Sequence, residues 1–421
     1  MSWTEEWVSP ARAWATLAAF SLLFFIELAG SFSSLGMVLP SMVKELGWDW
    51  SEAGLGYTFL GLTCGLGTLV PAVLIRKAGV RATVLTGAAL LAAGFLALAL
   101  THSVIVYLAA TASVGMGFAV AGNVPGTHVL NAMFRKRSTA LGIYFTIGAS
   151  GGVAGPLIYL VSNSIAHNWR AHWVVFLSAA LLAGAFAAIV IPGKLGAPRT
   201  ERAGDASSMP EAVRDWGLRD AMRTPQFAII VGAYTMYLLV HTTAHSFAPA
   251  HLIQRGFSSG TAGAMLSLES LIGAAMSGVA GALGERVDAR KIMIASMLGM
   301  VVGIACLAYA DNYALIVAYV LGSGIGNGLC IVAATLLLLG YFGRRANLEI
   351  YSAMHMISTL AVLGPLVAGV ARDRLGNFTS GFVVMAAMMA VMGLASYLMR
   401  PPVAAPISSA KAEPEAALSA S

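Results

Sequence analysis

The stretch YALIVAYVLGSGIGNGLCIVAATLLLLG, residues 313–340, holds no Asp, Glu, Lys or Arg. A helix that crosses a bilayer needs about 20 predominantly apolar residues, and this stretch exceeds that length. Eleven further segments read the same way: 13–39, 53–75, 81–101, 104–128, 139–162, 171–191, 226–251, 260–284, 290–310, 349–371 and 378–399. Alternating apolar and polar residues, the mark of a β-barrel, are absent. Composition agrees. Of 421 residues, 58% are hydrophobic and 10% charged, whereas soluble domains carry about 25% charged residues. So little charge cannot cover a water-facing surface. The expected fold class is an all-α membrane protein with twelve transmembrane helices, solvated by lipid.

The 46 glycines suit close approach of helices in a bilayer. Cys64, Cys306 and Cys330 lie inside apolar segments at no metal-ligand spacing and read as small buried residues. The first residues, MSWTEEWVSPARAW, begin with acids and lack a basic start, so no cleavable signal peptide is expected.

Charge placement sets orientation. Arg12, Arg76, Lys77, Arg81, Arg135, Lys136, Arg137, Arg286, Arg290 and Lys291 fall on one side of the predicted spans, as do the six Lys and Arg of residues 193–225. Lys44, Arg170, Arg255, Arg372 and Arg374 fall on the other. The positive-inside rule then places both termini in the cytoplasm. The basic balance reads as membrane topology, not as affinity for nucleic acid. It also leaves every Lys and Arg at a loop or helix end, so no fixed cation stands at mid-membrane.

Residues 193–225 are polar and carry Pro and Gly, and they divide the chain into a six-helix bundle over 1–192 and another over 226–400. The tail 401–421 is low in complexity and expected to be disordered in the cytoplasm. The halves repeat. Pro40 and Gly47 match Pro249 and Gly256, and Ala53-Gly54 matches Ala262-Gly263. Gly115-x-Gly117 matches Gly322-x-Gly324, Ile143-Tyr144 matches Ile350-Tyr351, and Gly155-Pro156-Leu157 matches Gly364-Pro365-Leu366. Two repeated six-helix halves with a site between them are a transporter architecture.

On these residues the chain resembles the major facilitator superfamily over residues 12–400. The family's loop motif has a counterpart in GALGERVDAR, where Gly281, Glu285, Arg286 and Arg290 occupy its positions. The first-half version, AVLIRKAGVR, keeps Lys77, Gly79 and Arg81 but has Arg76 where the family has an acid. GASGGVAGP resembles the family's antiporter motif, with Gly148, Gly151, Gly152 and Gly155 on one helical stripe ahead of Pro156. The resemblance implies a gating role for these residues and a cavity lined by the first, fourth, seventh and tenth spans. A stripe of small residues also serves close packing alone.

Ionisable residues inside a span cost about 2.5–3.5 kcal/mol each on insertion scales, so each is a functional candidate. Glu27, His128, His241, His245, Glu269 and His355 are the ones found here. Glu27 and Ser31 share a face of the first span, with Ser34 one turn on. Tyr234, Tyr237, His241 and His245 run down the seventh, Asn123 and Thr127 mark the fourth, and Asn327 the tenth. At 1.5 Å per residue, Glu27 lies roughly 20 Å from the outer face, His241 roughly 12 Å, His245 roughly 6 Å and Glu269 roughly 14 Å. Glu269 is thus expected near His241, and His245 at an outer vestibule. Glu27, Glu269 and His241 are the expected proton-coupling residues. Ser31, Asn123, Thr127, Tyr234, Tyr237, His241, His245 and Asn327 are the expected substrate contacts.

Two histidines four apart in VHTTAH, residues 240–245, raise the question of a metal, but Thr242 stands where the Glu of H-E-x-x-H would be. No metal, no cofactor and no enzymatic constellation are expected. The expectation is a monomeric, proton-coupled secondary transporter in the inner or plasma membrane. Its substrate is a small organic anion such as a mono- or dicarboxylate. The alternative is a proton-driven exporter of apolar, neutral or cationic compounds.

Overall fold

The computed structural model describes residues 9–134, 137–192, 216–284, 286–343 and 347–402. Among them the chain is helical, with no strand. The first half holds α1 (Pro10–Gly30), α2 (Phe32–Leu46), α3 (Trp50–Gly67), α4 (Val70–Leu100), α5 (Val104–Ala121), α6 (Asn123–Met133), α7 (Arg137–Ala166) and α8 (Arg170–Val190). The second holds α9 (Leu218–Met222), α10 (Pro225–Gln254), α11 (Ser259–Leu283), α12 (Ala289–Ala308), α13 (Tyr313–Phe342), α14 (Asn347–Ser358), a 3-10 turn over Thr359–Val362, α15 (Leu363–Leu375) and α16 (Thr379–Leu398). Residues 193–215 and 403–421 of the expected loop and tail lie outside the described residues. The end of that loop forms α9, which buries Ala221, and the Trp216 ring packs on Phe342 with centroids 5.7 Å apart.

Local sequence explains where the helices start and stop. Ser9, Ser103, Thr224, Ser258 and Asn312 cap helix starts by accepting a backbone N–H three residues on. Proline follows directly at Pro10 and Pro225, where its missing N–H costs nothing. Gly47 and Gly256, matched by the repeat, both take left-handed φ, +69° and +91°. The repeat extends to side chains. Arg81 Nε donates to Ile191 O at 2.8 Å at the end of α8, and Arg290 Nε to Ser396 O at 3.2 Å at the end of α16.

Eleven helical stretches among the described residues are long and apolar enough to cross a membrane. The pass expected over 53–75 is shared between two elements. The chain breaks after α3, and Gly79, at φ 83° and ψ 169°, divides α4 inside AVLIRKAGVR. Three other passes are discontinuous: at Ser31 between α1 and α2, at Gly122 between α5 and α6, and at the 3-10 turn before α15. Irregular backbone at membrane depth is tolerated only where protein or a water-filled cavity surrounds it.

The halves meet through α2 on α10, α3 on α15 and α7 on α11. Glycine makes these contacts possible. A Cβ on Gly36 would collide with the His245 backbone oxygen, and one on Gly54 would come within 2.8 Å of the Pro365 carbonyl carbon. Hydrogen bonds cross the same seam, from Thr58 Oγ1 to Val362 O and from Ser267 Oγ to Val153 O, both 2.7 Å. The Asp373 carboxylate accepts from the first amides of α3, Trp50 N at 3.1 Å and Ser51 N at 2.8 Å. These contacts gather at the end of the bundle away from the chain termini, while α6 and α14, at the termini end, pack within their own halves. Among the described residues the contacts between the halves hold the bundle closed at that end.

Replacing Gly36 by Leu should wedge α2 from α10 and open the closed end. A cysteine placed at the fully buried Ser246 is then expected to react faster with a membrane-impermeant maleimide in the Gly36→Leu background than in its absence. Equal rates would show that this contact does not hold the seam.

Candidate functional site

The polar stripe of α10 faces a second stripe on α13 with Glu269 of α11 between them. Glu269 is fully buried, and its two oxygens take different partners. His245 Nε2 lies 2.6 Å from Oε2, Ser323 Oγ donates to Oε1 at 3.1 Å, and His241 Nδ1 stands 3.6 Å from Oε1. The shorter bond goes to His245, not to His241 as counting depth along a straight axis suggests. A glutamate side chain reaches about one helical turn, so depth alone does not choose between rings four residues apart. The His241 and His245 rings are 4.3 Å apart, and the Tyr237 ring stacks on His241 at 5.6 Å. Tyr237 OH donates to Asn327 Oδ1 at 2.5 Å. Tyr234 continues the row toward His355, whose ring lies 5.4 Å away.

His245 also marks the pseudo-twofold axis. Its first-half counterpart by the repeat is Gly36, the residue whose Cβ position its carbonyl fills. The histidine cluster therefore sits where the halves touch.

Glu27 stands apart from this cluster. It is fully buried on α1, and neither carboxylate oxygen has a hydrogen-bond partner among the described residues. A Cβ on Gly122 would collide with that carboxylate, so the break between α5 and α6 faces it directly. Tyr144 OH, equally buried, is also unpartnered among the described residues. Ser31, at the break, and Ser34, on α2, both donate to backbone oxygens of α1, Glu27 O and Ala29 O. Thr127 is half-buried on α6, and the side chain of Asn123 lies outside the described residues.

The glycine stripe of α7 packs mainly within its own half. A Cβ on Gly148 would strike the Phe24 ring, one on Gly151 would come within 3.0 Å of Ala29 N, and one on Gly155 within 2.5 Å of Ala29 O. Gly152 differs: it faces Ser270 of α11 across the seam at 3.5 Å, one turn before the buried Pro156. Of the loop motif, Gly281 has open space around it, Arg286 is exposed and Arg290 holds the end of α16. Glu285 lies outside the described residues. Ser323 and Asp373 were not singled out from sequence. Ser323 had a signal, since it shares a helical face with Asn327 four residues on. Asp373 had none, because its partner is a backbone 322 residues away.

An unsatisfied buried polar group costs about 1–3 kcal/mol, more where it is charged, and the His245 contact to Glu269 at 2.6 Å is much shorter than the Ser323 bond at 3.1 Å. Thermal unfolding of purified protein should therefore fall much further for His245→Ala than for Ser323→Ala. The reverse order would mean that Glu269 is held chiefly by the serine.

Comparison with known proteins fits this geometry. The family model described as Major Facilitator Superfamily matches residues 19–258 and 230–420. No curated protein matches by sequence. A solved structure of a mutant of the nucleoside transporter NupG aligns with a TM-score of 0.73 at 13% identity, over 91% of this chain and 99% of that one. A bacterial homologue of the human lysosomal transporter Spinster, inward-facing and occupied, aligns with a TM-score of 0.71 at 14% identity, over 93% and 97%. A POT family transporter in complex with 5-aminolevulinic acid gives 0.68 at 13%, over 90% and 95%. At such identities the likeness shows the fold alone. The matched model spans most of the sequence, and the chain belongs to the Major Facilitator Superfamily as a multi-pass membrane transporter, not an enzyme.

Proposed function

We propose that this protein carries a small organic anion, a mono- or dicarboxylate, by proton-coupled alternating access. The observation that carries the reading is the polar wall of Tyr234, Tyr237, His241, His245, Glu269 and Asn327, set inside the bundle beside the contact between its halves. A binding site between two halves that rock about it is what alternating access requires. Tyr237 and Asn327 already share a hydrogen bond, and with Tyr234 they offer groups that recognise a carboxylate. A proton on His241 supplies the positive charge that no Lys or Arg places there.

Glu27 is the principal proton carrier in this reading, with Glu269 and His241 as partners. A carboxyl buried without a partner is stable neutral and costs free energy as an anion, so its proton must leave when the cavity wets it. Ser31, Asn123 and Thr127 complete the substrate side of the first half. Gly148, Gly151, Gly152, Gly155 and Pro156 serve the rocking seam, as do Gly281, Glu285, Arg286 and Arg290 at the loop. We place twelve passes in one chain acting as a monomer, in an inner or plasma membrane, with both termini cytoplasmic. Six passes fall in 1–192, six in 226–400, joined by 193–225 and followed by the tail 401–421.

A second reading has its own observation. Two buried carboxylates, Glu27 and Glu269, and no cation among the site residues described also suit a proton-driven exporter of cationic or neutral compounds. A thermal-shift screen of carboxylates, sugars and amines at two pH values separates the readings: stabilisation by carboxylates at the lower pH supports the first, by amines the second. With a substrate in hand, Glu27→Gln in proteoliposomes is expected to abolish accumulation driven by a pH gradient while sparing substrate counterflow. Accumulation at the wild-type level would remove Glu27 from the mechanism.

A further inference from the structure

Three donor atoms converge on one point between α10 and α11. A ring nitrogen of His241, one of His245 and a Glu269 carboxylate oxygen all lie within 4.8 Å of one another. Two histidines at i and i+4 on a helix present their nitrogens to one side, the arrangement that helical zinc motifs use. Two imidazoles and a carboxylate are also a zinc donor set with a fourth position left open. The glutamate missing at Thr242 is supplied here from another helix, as a ligand instead of a base.

The spacings fit an ion. Bonds of about 2.0–2.2 Å in a tetrahedron put ligand atoms roughly 3.3 Å apart. The contacts run to both Glu269 oxygens, 2.6 Å from His245 Nε2 to Oε2 and 3.6 Å from His241 Nδ1 to Oε1, so the carboxylate faces the two rings from distances on either side of that value. Among the described residues His241 Nδ1 is buried without a hydrogen-bond partner, although it points at the carboxylate. Leaving such a nitrogen unsatisfied costs about 1–3 kcal/mol, and a bound cation would take its lone pair. Outer-shell support is present too. Ser323 Oγ holds Glu269 Oε1 at 3.1 Å, and Tyr237, itself tied to Asn327, stacks on His241.

We infer that His241, His245 and Glu269 bind one divalent transition-metal ion of the zinc class. The nitrogen donors select against Mg²⁺ and Ca²⁺, which take oxygen ligands. The open position lies on the His241 side, where 19% of the side chain is exposed against 9% for His245 and none for Glu269. An ion of charge +2 beside one carboxylate leaves a net positive centre at the seam between the halves, and when bound it takes the place of the His241 proton that the transport reading invokes.

The test is direct binding, and it does not depend on what the protein transports. Full-length, tag-free protein in detergent, stripped with chelator and then freed of it, is titrated calorimetrically with ZnCl₂, with MgCl₂ as the control. One zinc per chain and no magnesium heat are expected. His241→Ala and His245→Gln should each weaken zinc binding by at least the roughly 10-fold that even an outer-shell loss costs. His241→Ala keeps the buried His245–Glu269 bond, so its melting curve in chelator should match wild type and certify the fold. Absence of zinc binding by wild type overturns the proposal. So does binding weakened by less than tenfold in His241→Ala, which would place the ion on other groups such as the exposed His128.

Discussion

Hydrocarbon offers no hydrogen-bond partner, and that one constraint sorts every polar residue in these helices. Serine and threonine satisfy it alone by donating to a carbonyl one turn back. Thr63 bonds Phe59 O at 2.8 Å, and Thr86, Ser178 and Thr335 bond Ala82 O, Val174 O and Ile331 O at 2.9 Å. These residues can face lipid and need no function. A carboxyl or an imidazole has no such local exit. Glu269, His241 and His245 can sit inside the bundle only because three helices bring them together, and Glu27 sits there with no hydrogen-bond partner among the described residues. The chain pays for those groups in folding stability, which is the physical reason to seek function at them.

The repeat shows which parts of the molecule are shared machinery. Gly47 and Gly256 reverse the chain with the same left-handed backbone, and Arg81 and Arg290 close the same corner of each half. The differences are chemical. At the point where counterparts touch across the axis, one half has a glycine and the other a histidine bonded to a glutamate. Packing alone explains the glycine, because α2 and α10 could not approach with a side chain there. It does not explain the histidine. The two halves have divided the work: the first holds an isolated acid beside a helix break, the second an acid saturated with partners.

Much of this was legible beforehand, for identifiable reasons. Spans, stripes and repeats are periodic features of one chain, so Tyr234, Tyr237, His241 and His245 could be placed on one face and Glu269 brought near them. What failed to show was whatever depends on a second chain segment arriving from far away. The pairing of Glu269 with His245 instead of His241 turns on side-chain reach. The Asp373 contact with the start of α3 involves a backbone, which no residue pattern marks. The stripe of α7 read as one surface, but its glycines face two directions: Gly148, Gly151 and Gly155 accept α1, and Gly152 alone faces the other half. Gly79 falls in the gap expected between the spans 53–75 and 81–101, whereas the break after α3 lies inside the span 53–75, where the residues are apolar enough to read as helix on either side.

The closed seam is built to be reversible. Its polar bonds are few: Asp373 at a helix start contributes about 0.3–1 kcal/mol, up to ~2 where partly buried, and the Thr58 and Ser267 bonds about 1 kcal/mol each. Glycine against backbone lets the helices approach closely, as at Gly36 on the His245 oxygen, and the Trp50 ring packs edge-on against Phe247 and Phe378 across the seam. A ligand shifts an equilibrium only by its differential affinity for the two states, and carrying a population from one side to the other takes about 5.5 kcal/mol. With glycines at Gly36, Gly54 and Gly369 on the contact, backbone meets backbone at those points, and a ligand that opens the seam has to offset its few polar bonds and the ring contacts of Trp50.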